Sequence, residues 1–117
     1  WVIGYDTLYA IQDIEDDALV GVKSSARRMG ANVRSGIAIC YTLALAGWGA
    51  AIWTVFPIPL ALLALLPAAI HLAWQASRAD PADGAGALAL FRSNRWCGAL
   101  VFAAMLVVGL SLRQLNI

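Results

Sequence analysis

From Ser35 to Ser77 the chain reads SGIAICYTLALAGWGAAIWTVFPIPLALLALLPAAIHLAWQAS, a run without a single Asp, Glu, Lys or Arg. A helix needs about 20 apolar residues to cross a hydrocarbon core about 30 Å thick, and this run is roughly twice that length. It must therefore fold back on itself. The break is Phe56-Pro57-Ile58-Pro59. Proline has no N–H and disfavours the helical conformation in the residue before it, so Phe56 and Ile58 are both pushed out of a helix. The reading is two spans, near 33–55 and 59–77, joined by a tight apolar turn. Pro67 lies inside the second span and is expected to kink it, which membrane bundles tolerate where neighbours satisfy the freed carbonyl. A third span is expected near 94–112, because Trp96 to Leu112 carries no charge. The connector before it, SRADPADGAGALALFRSNR over 77–95, is punctuated by Gly, Pro and Asp and is expected to hold a short interfacial helix from Gly86 to Phe91.

Composition agrees. The 117 residues are 62% hydrophobic and 13% charged, with mean hydropathy +0.75, where soluble domains run near 45–50% apolar and about 25% charged. This excludes a disordered tail and argues against a conventional water-soluble domain. A formal net charge of +1 gives no reason to invoke a nucleic-acid partner. The order of the charges says more. Five of the seven acids, Asp6, Asp13, Glu15, Asp16 and Asp17, come first, and Lys23, Arg27, Arg28 and Arg34 follow them. Arg78, Arg92 and Arg95 stand between the second and third spans, an even number of crossings later. Both charged stretches therefore share one face of the membrane, expected to be the cytoplasmic one by the positive-inside rule. The proline turn then faces outward, with Arg113 as a single exception. The fold class is all-α, a polytopic transmembrane helical bundle integral to the lipid bilayer. The chain begins at Trp1 and shows no basic stretch ahead of a short apolar one, so no secretory signal is expected. It is read as the C-terminal part, 1–117, of a single larger domain, comprising the end of one span, a cap helix and three full spans. Cys40 and Cys97, far apart in apolar surroundings, are read as small packed residues, not a disulfide or metal pair.

The acidic stretch GYDTLYAIQDIEDDALVGVKSSARRMG, residues 4–30, is where chemistry is plausible. Propensity predicts a helix from Leu8 to Leu19 with Gly21 as its stop. On one continuous helix Asp13 and Asp17 are a turn apart and Asp6 is two turns before Asp13, so the three share a stripe with Tyr9 near its edge. Asp16 flanks that face, and Glu15 points elsewhere. Like charges at i, i+4 weaken a bare helix. A divalent cation would relieve them: Mg²⁺ takes oxygen ligands and is commonly held by one or two carboxylates plus substrate phosphates. Lys23, Arg27 and Arg28 could then balance the anion's remaining charge. The other reading of the same pattern is an acidic interfacial helix beside a basic stretch that binds lipid headgroups.

The same residues closely resemble the second aspartate-rich motif of the UbiA-type membrane prenyltransferases, in particular the 4-hydroxybenzoate polyprenyltransferase branch. That branch shows a run of the form Y-D-T-x-Y-A-x-x-D-x-x-D-D-x-x-x-G-[IV]-K-S-[ST]-A, matched here by Tyr5-Asp6-Thr7, Tyr9-Ala10, Asp13, Asp16-Asp17 and Gly21-Val22-Lys23-Ser24-Ser25-Ala26. LFRSN, residues 90–94, is similar to a feature of the family's last connector. The resemblance implies a bundle of nine spans with a cytoplasmic cap over a central cavity. It implies Mg²⁺-dependent transfer of a prenyl chain from a polyprenyl diphosphate to an aromatic acid, 4-hydroxybenzoate in ubiquinone biosynthesis. By position it assigns Asp13 and Asp17 to Mg²⁺ and, with Asp6, to catalysis, and it assigns Lys23, Tyr9 and Arg27 to substrate binding. The family's first motif, N-D-x-x-D-x-x-x-D, is absent from these residues, so the chain is expected to be inactive alone. A different aromatic acceptor, or a non-enzymatic membrane module with a cation-binding helix, is the competing reading.

Three further features have structural explanations at hand. His71, Gln75 and Arg78 form a polar stripe on the second span, which suits helix–helix hydrogen bonding with an interfacial anchor, or a cavity wall that meets the aromatic carboxylate. Trp48, Trp53, Trp74 and Trp96 suit an aromatic belt. Gly47-Trp48-Gly49 suits close helix packing.

Overall fold

The computed structural model describes residues 1–21 and 23–116; Val22, Ile117 and the side chains of Glu15 and Asp17 lie outside the described residues. Those described form helices α1 (Val2–Ile11), α2 (Ile14–Val20), α3 (Ser25–Met29), α4 (Val33–Val55), α5 (Pro59–Leu62), α6 (Leu66–Arg78) and α7 (Gly84–Leu115). Single 3₁₀ turns, Gly30–Asn32 and Leu63–Leu65, join α3 to α4 and α5 to α6. There is no strand among the described residues.

The proline signals act where the sequence puts them. α4 ends at Val55, Phe56 and Ile58 leave the helical region, and Pro59 opens α5 at the position where its missing N–H costs nothing. Pro67 cannot donate to the carbonyl four residues back, and the chain tightens into the 3₁₀ turn just before it. With that irregularity, Pro59–Arg78 is the second of three stretches long and apolar enough to cross a membrane, beside Ser25–Val55 and Gly84–Leu115.

Two expectations are corrected. The short interfacial helix from Gly86 to Phe91 and the span near 94–112 are one element, α7. The breaking signals all precede Gly84, and the Asp83 carboxylate caps the helix by accepting the Gly86 N–H at 2.9 Å. At 1.5 Å per residue α7 is about 48 Å long, so its first turns extend beyond a hydrocarbon core of about 30 Å. Glycine packing is corrected as well. Gly47 faces open space, and a Cβ on Gly49 would make only ordinary contact with Leu62. The close crossing is at Gly4, where a Cβ would run into the Tyr41 ring, so α1 lies directly on α4.

The bundle is 61 Å long and about 20 Å across. Leu8, Ile37, Leu72 and Cys97 form a core where α1, α4, α6 and α7 meet, and Ile52, Leu65, Ala104 and Val108 form a second one toward the proline turn. Ile39, Leu43, Phe102 and Val107 point away from it and are more than half exposed. Such a continuous apolar surface is unfavourable in water and matched by lipid. Trp53, Trp74 and Trp96 also face outward, as a belt requires, with Arg95 over the Trp96 ring. Trp48 does not; it turns inward and meets Trp1 edge-on at 5.7 Å.

Interhelical polar contacts set the register. Gln75 is fully buried; its carbonyl accepts the Tyr41 hydroxyl at 2.6 Å and its amide donates to Ser93 Oγ at 2.8 Å. His71 Nε2 lies 3.2 Å from the Ser93 carbonyl oxygen. Bonds of this kind contribute roughly 0.6 kcal/mol each in membrane bundles. Three helices are thereby fixed to one another, and the stripe is used for helix–helix bonding, while Arg78 is exposed at its end.

Candidate functional site

The acidic segment is where structure and sequence reading differ most. One helix from Leu8 to Leu19 was the expectation, and the chain instead breaks at Gln12–Asp13. The Asp13 N–H bonds the Ala10 carbonyl at 3.2 Å, a tightened closing turn. The cause lies in the acids themselves. Asp competes poorly in helix interiors, and crowding Asp13, Glu15, Asp16 and Asp17 into one helix sets like charges a turn apart. Starting a new helix at Ile14 leaves Asp13 just before a helix and Asp16 in its first turn, where the macrodipole favours acids. The stripe of Asp6, Asp13 and Asp17 needs one continuous helix, and the helix is interrupted at Asp13. Gly21 follows the end of α2 with φ of 78°, the left-handed stop that the sequence suggests.

Asp6 is exposed on α1, and Asp13 is half-buried in the turn that follows it. Asp17 lies in α2, with its side chain outside the described residues. Tyr9 is exposed, its ring edge-on to Phe91 at 5.0 Å. Gln12 packs on the start of α7 so closely that a Cβ on Gly84 would lie 3.0 Å from its Cα. At the start of α4, Arg34 Nε donates to the Ala79 carbonyl at 3.2 Å. The acidic turn and the connector after α6 therefore share one end of the bundle, as the spacing of the basic residues requires.

The cationic segment is fixed to α1 by a part-buried hydroxyl pair. Thr7, fully buried, donates to the Ile3 carbonyl at 2.7 Å, so its oxygen accepts from Ser25 Oγ at 2.6 Å. Ser24 caps α3 by accepting the Arg27 N–H at 3.1 Å. Lys23, Ser24, Ser25, Arg27 and Arg28 then line one open cleft of about 590 Å³. Three cations and the Ser24 hydroxyl around one space make a donor set for phosphate oxygens. Among the described residues no three His, Cys, Asp or Glu side chains gather into a metal-ligating group, so a metal reading rests on Asp13 and Asp17.

Sequence reasoning did not find Thr7 and Ser25. They are 18 positions apart and no local signal pairs them. LFRSN gave a signal without a role. Phe91 packs on Tyr5 and Tyr9, Ser93 bonds Gln75, and Asn94 accepts the Trp1 indole N–H at 2.9 Å. The segment fastens α1 and α6 to α7.

Residues 1–98 match the model of the UbiA prenyltransferase family. The chain belongs to that family. The match takes in the acidic turn, the cationic cleft, the first two spans and the start of α7. Together with its three apolar helices, it makes this UbiA family member a multi-pass integral membrane protein. The chain is 39% identical over 113 residues to the mitochondrial 4-hydroxybenzoate polyprenyltransferase of Arabidopsis thaliana, covering 92% of this chain and 26% of that protein. To the 4-hydroxybenzoate octaprenyltransferase of Methylibium petroleiphilum it is 35% identical, over 92% of this chain and 35% of the relative. The mitochondrial 4-hydroxybenzoate polyprenyltransferase of Caenorhabditis elegans is 34% identical, over 90% and 30% respectively. The chain thus spans about a third of the length of the curated relatives it matches. No solved structure matches it.

Proposed function

We propose that this chain supplies the second aspartate-rich motif and the last three spans of a 4-hydroxybenzoate polyprenyltransferase of ubiquinone biosynthesis. The observation that carries the reading is the cationic cleft of Lys23, Arg27 and Arg28, held on α1 by the Thr7–Ser25 bond within the stretch that matches the family. The substrates would be a polyprenyl diphosphate and an aromatic acid, and the cofactor Mg²⁺. The charged end is assigned to the cytoplasmic side on the basic residues it gathers.

Carboxylate oxygens are hard donors that suit Mg²⁺, and the half-buried Asp13 together with phosphate oxygens makes the kind of set that ion takes. Asp13 and Asp17 would hold it, and when bound it would supply positive charge to the diphosphate. Lys23 and Arg27 bind the phosphate oxygens and orient the allylic C–O bond. That bond breaks with its electron pair leaving on the diphosphate. The electron-rich ring carbon of 4-hydroxybenzoate forms the new C–C bond, and a base takes up the ring proton. The cations of the cleft act on charge that grows as the diphosphate leaves, the moment at which preorganised groups lower a barrier most. Asp6, exposed on α1, and Tyr9, whose ring meets Phe91 edge-on, belong to the same sequence motif and would complete the site.

In the full-length protein, Asp13→Asn and Asp17→Asn should each lower formation of prenylated 4-hydroxybenzoate by about two orders of magnitude. Membrane insertion and thermal stability should be retained. Near-wild-type rates in both variants would overturn the assignment.

A further inference from the structure

A second polar cleft opens at the same end of the bundle, between the start of α4, the end of α6 and the start of α7. It measures about 540 Å³ and is lined by Arg34, Trp74, Ser77, Arg78, Asp80 and Asp83. It shares no lining residue with the cleft of Lys23, Arg27 and Arg28.

The groups present define what would fit. Arg34 spends its Nε on the Ala79 carbonyl, which fixes the guanidinium and leaves its terminal nitrogens as donors. Arg78, one turn beyond Trp74 on α6, supplies a second exposed guanidinium. Two such forks are suited to a phosphodiester. The cleft is not simply basic, however. Asp80 accepts the Ala82 N–H at 2.8 Å and Asp83 accepts the Gly86 N–H at 2.9 Å, both through Oδ1. A carboxylate has about four acceptor sites, so each acid keeps capacity for a cation. Two positive and two negative side chains in one cleft match a ligand that is itself zwitterionic. Trp74, about half exposed where α6 reaches its charged end, is a residue type that settles at the headgroup level.

We propose that this cleft is a binding site for the phosphoethanolamine headgroup of a membrane lipid. Its phosphate lies against Arg34 and Arg78 and its ammonium against Asp80 and Asp83. An anionic phosphoglycerol headgroup would meet the two acids unfavourably, and a choline headgroup cannot donate hydrogen bonds to them.

The test is native mass spectrometry of the full-length protein, delipidated and then titrated separately with phosphatidylethanolamine, phosphatidylcholine and phosphatidylglycerol. The wild type should retain phosphatidylethanolamine about tenfold more tightly than either of the others. Arg34→Gln with Arg78→Gln should remove that retention. Asp80→Asn with Asp83→Asn should abolish the preference and raise phosphatidylglycerol to the same level. Asn still serves as a helix cap and turn former, so this second pair leaves the connector folded. Equal retention of the three lipids by the wild type would overturn the proposal, as would a preference for phosphatidylglycerol or one that neither pair of substitutions alters. None of these residues belongs to the proposed diphosphate site, and lipid retention is read without turnover, so failure here is distinguishable from failure of the prenyl-transfer reading.

Discussion

At Gly4 the absence of a side chain decides how α1 meets α4, because the Tyr41 ring occupies the space that a Cβ would need. Tyr41 cannot easily yield: its hydroxyl is fixed to the buried Gln75. Gly4→Ala should therefore destabilise the protein by about 1–3 kcal/mol, the usual cost of overpacking. Gly47→Ala, into open space in the middle of α4, should be neutral or stabilising by up to about 1 kcal/mol. Thermal unfolding of both variants in one detergent checks the pair. The difference between these glycines was not legible in the sequence, where Gly47-Trp48-Gly49 carries the more suggestive pattern. Which glycine faces a neighbour depends on the rotation of a helix that is apolar all round, and nothing in its pattern marks one face. Gln75 was legible, since a polar side chain at membrane depth has to find a partner inside the bundle. Its partners, Tyr41 and Ser93, come from other helices and were not.

At the scale of elements, proline and charge were easy to read and helix continuity was harder. Phe56-Pro57-Ile58-Pro59 turns the chain because backbone chemistry leaves it no alternative, and α4 ends at Val55 as its spacing implies. The break between α1 and α2 is a balance of weak terms. Asp13, Asp16 and Asp17 tolerate a helix individually, and only their crowding, with Gln12 packed on Gly84, favours a turn. That contact gives a prediction. Gly84→Val needs room against the Gln12 backbone, where even a Cβ sits at 3.0 Å. Amide hydrogen exchange should quicken over residues 12–20 of this variant and stay unchanged in the spans α4 and α7. Unaltered exchange across the turn would show that the connector does not hold it.

For the whole molecule, the two charged stretches gather at one end and the proline turn occupies the other, so three spans separate polar chemistry from an apolar cap. Single cysteines placed at Ala31, Ala82 and Ile58, in a background free of Cys40 and Cys97, should report this. A membrane-impermeant thiol reagent should reach Ala31→Cys and Ala82→Cys from one side and Ile58→Cys from the other only. At the charged end, the proposed diphosphate site requires the acidic turn and the cationic cleft to act together. The most direct measurement is calorimetric binding of inorganic diphosphate to the full-length protein with and without Mg²⁺. The wild type should bind with Mg²⁺ present. Affinity should fall at least about tenfold when Mg²⁺ is withdrawn, in Asp13→Asn, and in Lys23→Gln combined with Arg28→Gln. Equal affinity under all of these conditions would show that the two do not act together on a diphosphate.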